Sequence, residues 1–326
     1  MKSFVLRSFS SVLLLFCLSV FVQGQSYDLK KMPPLDPKVR TGVLPNGMHY
    51  YIRANIIPEK RGEFYIANNV GAILEDDDQN GLAHFTEHMS FNGTDHFPGK
   101  GILDYLATIG VKFGTNVNAS TGLEQTVFNL SNVPLKREGV IDSALMVLRD
   151  WSHFVTFDNS EIDLERGVIV EEWRMYGSAD ERMNNKLAPI IYKGSKYATR
   201  NVIGDTAVLK HFKYETIKNF YHKWYRPDLQ ALIIIGDFDV NAVEGKIKKL
   251  FAIIPKTENP VTKEEYPVPD NKAPLIGTAT DKEATSTSVD VVCKHDITRP
   301  EDKNLGYMRL QLVRSLINNM FGKRMS

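Results

Sequence analysis

Cysteine is nearly absent from this 326-residue chain, which has only Cys17 and Cys293. Cys17 falls in an N-terminal apolar run and Cys293 stands alone, so neither a disulfide framework nor a thiolate-built structural zinc site can account for the fold. Tracts of one charge are missing too. Forty Lys and Arg are interspersed with 39 Asp and Glu for a formal net charge of +1, which leaves no basic footprint for nucleic acid. The one extended apolar run, Val12 to Val22, is too short for a membrane span. No low-complexity block interrupts the chain.

The N-terminus does have the make-up of a secretory signal. Lys2 and Arg7 form a basic start, the apolar run follows, and Val22-Gln23-Gly24 precedes a cut before Gln25. Phe16 is too bulky for lipoprotein processing at Cys17. Export to the periplasm or the cell exterior is expected, with a mature chain that holds one thiol and no internal disulfide.

The chemistry concentrates in H-x-x-E-H, His84 to His88. Positions four apart on a helix differ by only about 40° around the axis, so His84 and His88 share a face with Glu87 beside them. Two imidazoles can hold a zinc ion while a carboxylate that is not a ligand takes a proton from water. A lone His is more often a hydrogen-bonded structural residue; two of them sharing a face with an acid favour metal. A catalytic zinc site needs a third protein ligand, and cysteine cannot supply it, which leaves another His or a carboxylate. The acidic segment Glu161 to Arg174 is the best local source. Glu165 and Glu172 lie two turns apart on one face of a helix, and Glu171 points about 100° away from Glu172.

Further blocks accompany the motif: G-L-A-H-F-T-E-H-M-S-F-N-G-T (81–94), V-N-A-S-T (117–121), L-E-R-G-V-I-V-E-E (164–172), F-Y-H-K-W-Y-R-P (220–227) and A-L-I-I-I-G-D-F-D (231–239). In this order they resemble the inverzincin zinc peptidases of the insulinase and pitrilysin type. The resemblance runs from about Val43 to the end of the chain. It implies that His84, His88 and Glu172 bind one Zn2+, that Glu87 is the general base, and that Glu165 supports the site without touching the metal. It also implies that the edge strand at 117–121 pairs with substrate backbone through Asn118 and Ala119, favouring unstructured oligopeptides.

Family enzymes close two αβ halves into a chamber, so a second half, from the same gene or a separate subunit, is the expected partner. The expected activity is that of an exported zinc metalloendopeptidase, with this chain as its catalytic half and weak turnover on its own. A non-catalytic peptide-binding or assembly subunit of the same fold is the alternative, and retention of His84, Glu87, His88 and Glu172 argues against it. Zinc capture without peptide chemistry is a third reading.

The expected fold is α+β, a mixed or antiparallel sheet packed on helices. Asn46-Gly47 predicts a hairpin between 41–44 and 48–53, with strands at 63–70, 126–130 and 230–236. Helices are predicted at 81–91, 99–109, 136–154, 159–176, 215–224 and 240–251. Residues 1–24 are expected to be the signal, 25–254 the zinc-binding domain, 255–274 a Pro-rich linker and 275–326 the start of a second domain, with a strand at 285–293 and a helix at 302–320. Asp76 to Asp78 lack the ligand spacing of a calcium loop and are expected to lead into the metal helix. His96 is expected to be an ordinary surface residue, and Tyr221, Trp224 and Tyr225 to pack in the core.

Overall fold

The computed structural model describes residues 27–295 and 297–325, so the expected signal at 1–24 lies outside the described residues. Among the described residues, no helix is long and apolar enough to cross a membrane.

Alternation with period two builds the sheet. Its strands are Val39–Val43 (β1), His49–Ala54 (β2), Arg61–Asn68 (β3), Val117–Thr121 (β4), Thr126–Pro134 (β5) and Gln230–Gly236 (β6). In β3 and β6 every second residue is buried, placing Phe64, Ile66, Leu232 and Ile234 on one face. Gly47, at φ 96°, turns the chain between β1 and β2 as the Asn-Gly pair predicts. The order is β1-β2-β6-β3-β5-β4, with β2 and β6 parallel and the other neighbours antiparallel. The sheet is therefore mixed, and β4 is one of its edges.

Helices Leu82–Met89 (α1), Gly101–Thr108 (α2), Val140–His153 (α3), Asn159–Met175 (α4), Ala179–Ile191 (α5), Thr206–His211 (α6), Tyr214–Trp224 (α7) and Val240–Phe251 (α8) complete this unit. α3 packs on β3 and β5, and α8 on β2. Trp151 of α3 stacks on Phe128 of β5 with ring centroids 5.2 Å apart and meets Phe91 edge-on at 5.4 Å. Tyr221, Trp224 and Tyr225 are buried in the core as expected.

Some features depart from the sequence expectation, the short α6 among them. Residues 285–293 alternate in hydrophobicity but form no strand, and they are exposed. α5, which has no buried residue and carries Pro189 inside it, was not expected from the sequence. It is held by polar contacts from the extended chain that follows α8: Arg182 binds Asp281 through Nε at 2.8 Å and Nη2 at 2.6 Å. The Pro-rich stretch 255–274 lacks helix or strand, yet Lys263 donates to the carbonyl of Asn69 at 3.1 Å.

Residues 27–35 and 294–325 belong to a separate compact unit. Its helix, Leu305–Met325 (α9), begins where the N–H groups of Leu305 and Gly306 meet the carbonyls of Lys31 and Leu29.

The helix carrying the motif enters through a glycine contact. Gly81 and Gly204 have φ of 102° and 83°, and a Cβ on Gly204 would fall 2.3 Å from the Gly81 Cα. Gly139 has the same φ as Gly204 with nothing within 4 Å of its would-be Cβ. Gly139→Ala is expected to cost only the left-handed penalty of about 1–2 kcal/mol. Gly204→Ala adds a backbone clash of about 1–3 kcal/mol, so thermal melts of the two variants should show the greater loss for Gly204→Ala.

Candidate metal centre

α1 has eight residues and no side-chain cap of its own. Glu75 supplies one from outside the helix. Its fully buried carboxylate accepts from the N–H of Gly81 at 3.0 Å and of Ala83 at 2.7 Å, two donors that the helix itself leaves unsatisfied. Burial pushes the Glu75 carboxyl up to about 8, against the pull of those two donors and of Arg200. Arg200 Nη2 in turn donates to the Glu75 carbonyl at 3.0 Å and to Asp77 at 2.7 Å. Asp76 to Asp78 do lead into the helix, through a 3-10 turn capped by Asp76. Glu75 itself went unnoticed in the sequence, because a single acid ahead of a helix carries no spacing signal.

The helical spacing brings His84 and His88 together, with ring centroids 4.7 Å apart. α4 packs against α1 and presents Glu172 to both. His84 Nε2 lies 3.7 Å from Glu172 Oε1, and His88 Nε2 lies 3.3 Å from Glu172 Oε2. One ligand atom from each residue falls within 4.8 Å of the others. A tetrahedral zinc with bonds of about 2.05 Å spaces its ligands about 3.4 Å apart, which this set brackets.

Glu165 meets the opposite side of the His88 ring, its Oε1 2.8 Å from Nδ1. Its Oε2 accepts from Asn92 Nδ2 at 2.6 Å. Glu171 is exposed and pairs with Arg174. The three acids that spacing left open thus occupy three distinct positions. Glu87, half-buried, accepts a hydrogen bond from Thr121 Oγ1 through Oε2. Asn118 and Ala119 lie in β4, which packs against α1. His96 is half-exposed and bonded to Asp150, away from this cluster.

The electrostatics call for a cation. Burial, helped by the neighbouring His88, lowers the His84 pKa to about 4, so its ring is neutral near pH 7. Its Nδ1 is buried without a partner. With the ring proton there, the Nε2 lone pair would face the Glu172 carboxylate, a repulsive contact unless a positive charge lies between them. Burial also acts to lower the His88 pKa, but Glu165, Glu172 and Glu87 together hold it above the usual value. Burial raises the Glu87 carboxyl against the Thr121 bond. Glu165, despite its burial, is held below the usual range by His88 and Asn92. Three carboxylates around two imidazoles carry the excess negative charge that a divalent ion neutralises. The residues present fit zinc.

A sheet with an open edge strand thus lies beside a helix-borne imidazole pair that a carboxylate from a second helix approaches. The chain belongs to the insulinase family, peptidase family M16. Residues 58–205 match the family's profile "Insulinase (Peptidase family M16)", and residues 211–301 match "Peptidase M16 inactive domain". It is 38% identical over 243 residues to the "Probable zinc protease PqqL" of Haemophilus influenzae, an alignment covering 74% of this chain and 26% of that protein. It thus spans about a quarter of the length of the curated relatives it matches first. The crystal structure of the first half of the periplasmic protease PqqL from Escherichia coli superposes with a TM-score of 0.69 at 30% identity, covering 73% of this chain and 50% of that one. Pitrilysin, at 19% identity and a TM-score of 0.59, shares the fold over 77% of this chain and 26% of its own.

Because the Glu75 pKa is raised, the folded state binds more protons than the unfolded state between about pH 4.5 and 8. This contribution to stability is full below that window and is lost as pH rises through it, by up to about 1.4 kcal/mol per pH unit. Glu75→Gln cannot titrate. The denaturant midpoint of the wild type is expected to fall relative to that of Glu75→Gln as pH rises from 4.5 to 8.

Proposed function

We propose that this chain carries the catalytic half of an exported zinc metalloendopeptidase, hydrolysing unstructured oligopeptides with one zinc ion held by His84, His88 and Glu172. The observation that carries the reading is the approach of both imidazole Nε2 atoms to the Glu172 carboxylate, with Glu87 on the same helix. Zinc, when bound, supplies Lewis acidity, polarising a carbonyl oxygen and making water more acidic.

The chain's own groups do the rest. Glu87 accepts a proton from the attacking water at Oε1, the oxygen that Thr121 leaves free, and returns it to the leaving amine nitrogen. Burial raises the proton affinity of Glu87, which favours that transfer. Glu165 accepts from His88 Nδ1 and fixes the tautomer whose Nε2 lone pair turns to the metal. Asn118 and Ala119 pair with substrate main chain along the free edge of β4. A folded protein, whose strands are already paired, cannot add there. A second αβ half, from the same gene or a separate subunit, closes the chamber and contributes a further donor to the developing oxyanion. Removal of one such donor costs roughly a hundredfold or more, so this chain alone turns over slowly. The description of the Escherichia coli relative as the first half of a periplasmic protease supports both the division into halves and export.

The test is mass-spectrometric cleavage of a pool of unstructured peptides by the zinc-loaded chain and by its Glu87→Gln variant, with metal content measured in parallel. The variant is expected to keep one zinc and lose at least about a hundredfold in rate. Equal cleavage by both proteins would move the base elsewhere, and a wild-type chain that binds no zinc would overturn the reading.

A further inference from the structure

Asp150 takes no part in the chemistry above, yet it is a fully buried carboxylate in α3. It accepts from Thr94 Oγ1 at 2.8 Å, the His96 N–H and ring Nδ1 at 3.0 Å each, and Arg149 Nη1 at 3.0 Å. Burying a charge is costly unless it is paired and hydrogen-bonded, and three of these bonds tie it to the loop that follows α1. Trp151 Nε1 holds the same loop by donating to the Ser90 carbonyl at 3.0 Å. The N–H of Asp95 reaches the Phe154 carbonyl at 3.0 Å, and the N–H of Thr156 reaches that of Gly93 at 3.1 Å.

Asn92 sits in the middle of this fixed loop, 7% exposed, with Nδ2 at 2.6 Å from Glu165 Oε2. An ionised carboxylate only accepts, so the amide NH2 must face it and the orientation of Asn92 is determined. The other oxygen of Glu165 is committed to His88.

We propose that Asn92 is a positioning residue for the metal ligand His88. By occupying the second oxygen of Glu165 it holds that carboxylate behind the imidazole, where it orients the ring and cannot swing to the metal side in competition with Glu172. Asp150 and the loop bonds give Asn92 the rigidity to do so. This inference rests on the zinc reading above.

The experiment measures zinc release to a chelator, and the absorption spectrum of the cobalt-substituted protein, for wild type, Asn92→Leu, Asn92→Asp, Glu165→Gln and the Asn92→Leu/Glu165→Gln double variant. Loss of a residue that orients a ligand typically weakens metal binding about 10- to 100-fold, and zinc release from Asn92→Leu is expected to quicken by that factor. Asn92→Asp, which sets a second carboxylate against Glu165, should release faster still, and the cobalt bands should shift in both. With Glu165→Gln already in place, Asn92→Leu should add less than about twofold, since residues acting through one partner are not additive. Melts of the metal-free proteins check folding, and Asn92→Ser, whose side chain is too short to reach Glu165, replaces Asn92→Leu if that variant is misfolded. Wild-type release rates and cobalt bands in Asn92→Leu would overturn the proposal, as would full multiplication of the two effects. A wild type that binds neither ion overturns the zinc reading beneath it.

Discussion

The structure depends on keeping an eight-residue helix in one place. An isolated helix of that length is not stable in water, so α1 owes its existence to what grips it. At its start, Gly81 lies against Gly204 and the Glu75 carboxylate takes two orphan N–H groups. At its end, Trp151 anchors the Ser90 carbonyl and the following loop is tied to α3. Between these clamps, helical spacing alone sets the separation of His84 and His88. The candidate site is thus a by-product of how firmly the neighbours hold a weak element, and its geometry is inherited from α3, the 3-10 turn and the 199–205 loop.

Charge is distributed with the same economy. The acids of α4 are separated by side: Glu172 faces the Nε2 atoms, Glu165 faces the back of His88, and Glu171 faces water. Burial depresses one imidazole while carboxylates elevate the other, so two chemically identical side chains one turn apart meet opposite environments. The asymmetry follows from the position of Glu165, which approaches only one of the rings.

Much of this was legible in the sequence because it follows from periodicity. Alternation located β3 and β6, Asn46-Gly47 located the hairpin, and the four- and seven-residue spacings located His84, His88, Glu165 and Glu172. Spacing could not choose among Glu165, Glu171 and Glu172, since that requires knowing which way α4 docks. Glu75, Asn92 and the Thr121 bond to Glu87 were illegible for a related reason: each acts on α1 from outside it, through a contact that only the assembled fold creates. α5 escaped notice because Pro189 interrupts its sequence and because polar contacts to residues near 281, visible only in the fold, help hold it. Conversely, the stretch 285–293 alternates in hydrophobicity yet forms no strand and stays exposed.

Glu172, the proposed third ligand, lies on a helix made long after the motif, separated from it by two strands and two helices. A ribosome that has finished His88 has made a peptide able to offer a metal only two nitrogens, and such a fragment holds it loosely and with little discrimination. Tight capture waits until α4 has been synthesised and docked, so metal retention is a property of tertiary structure rather than of the pentapeptide. A chain that has not yet folded therefore has no closed site, and the order of events becomes folding first, metal afterwards.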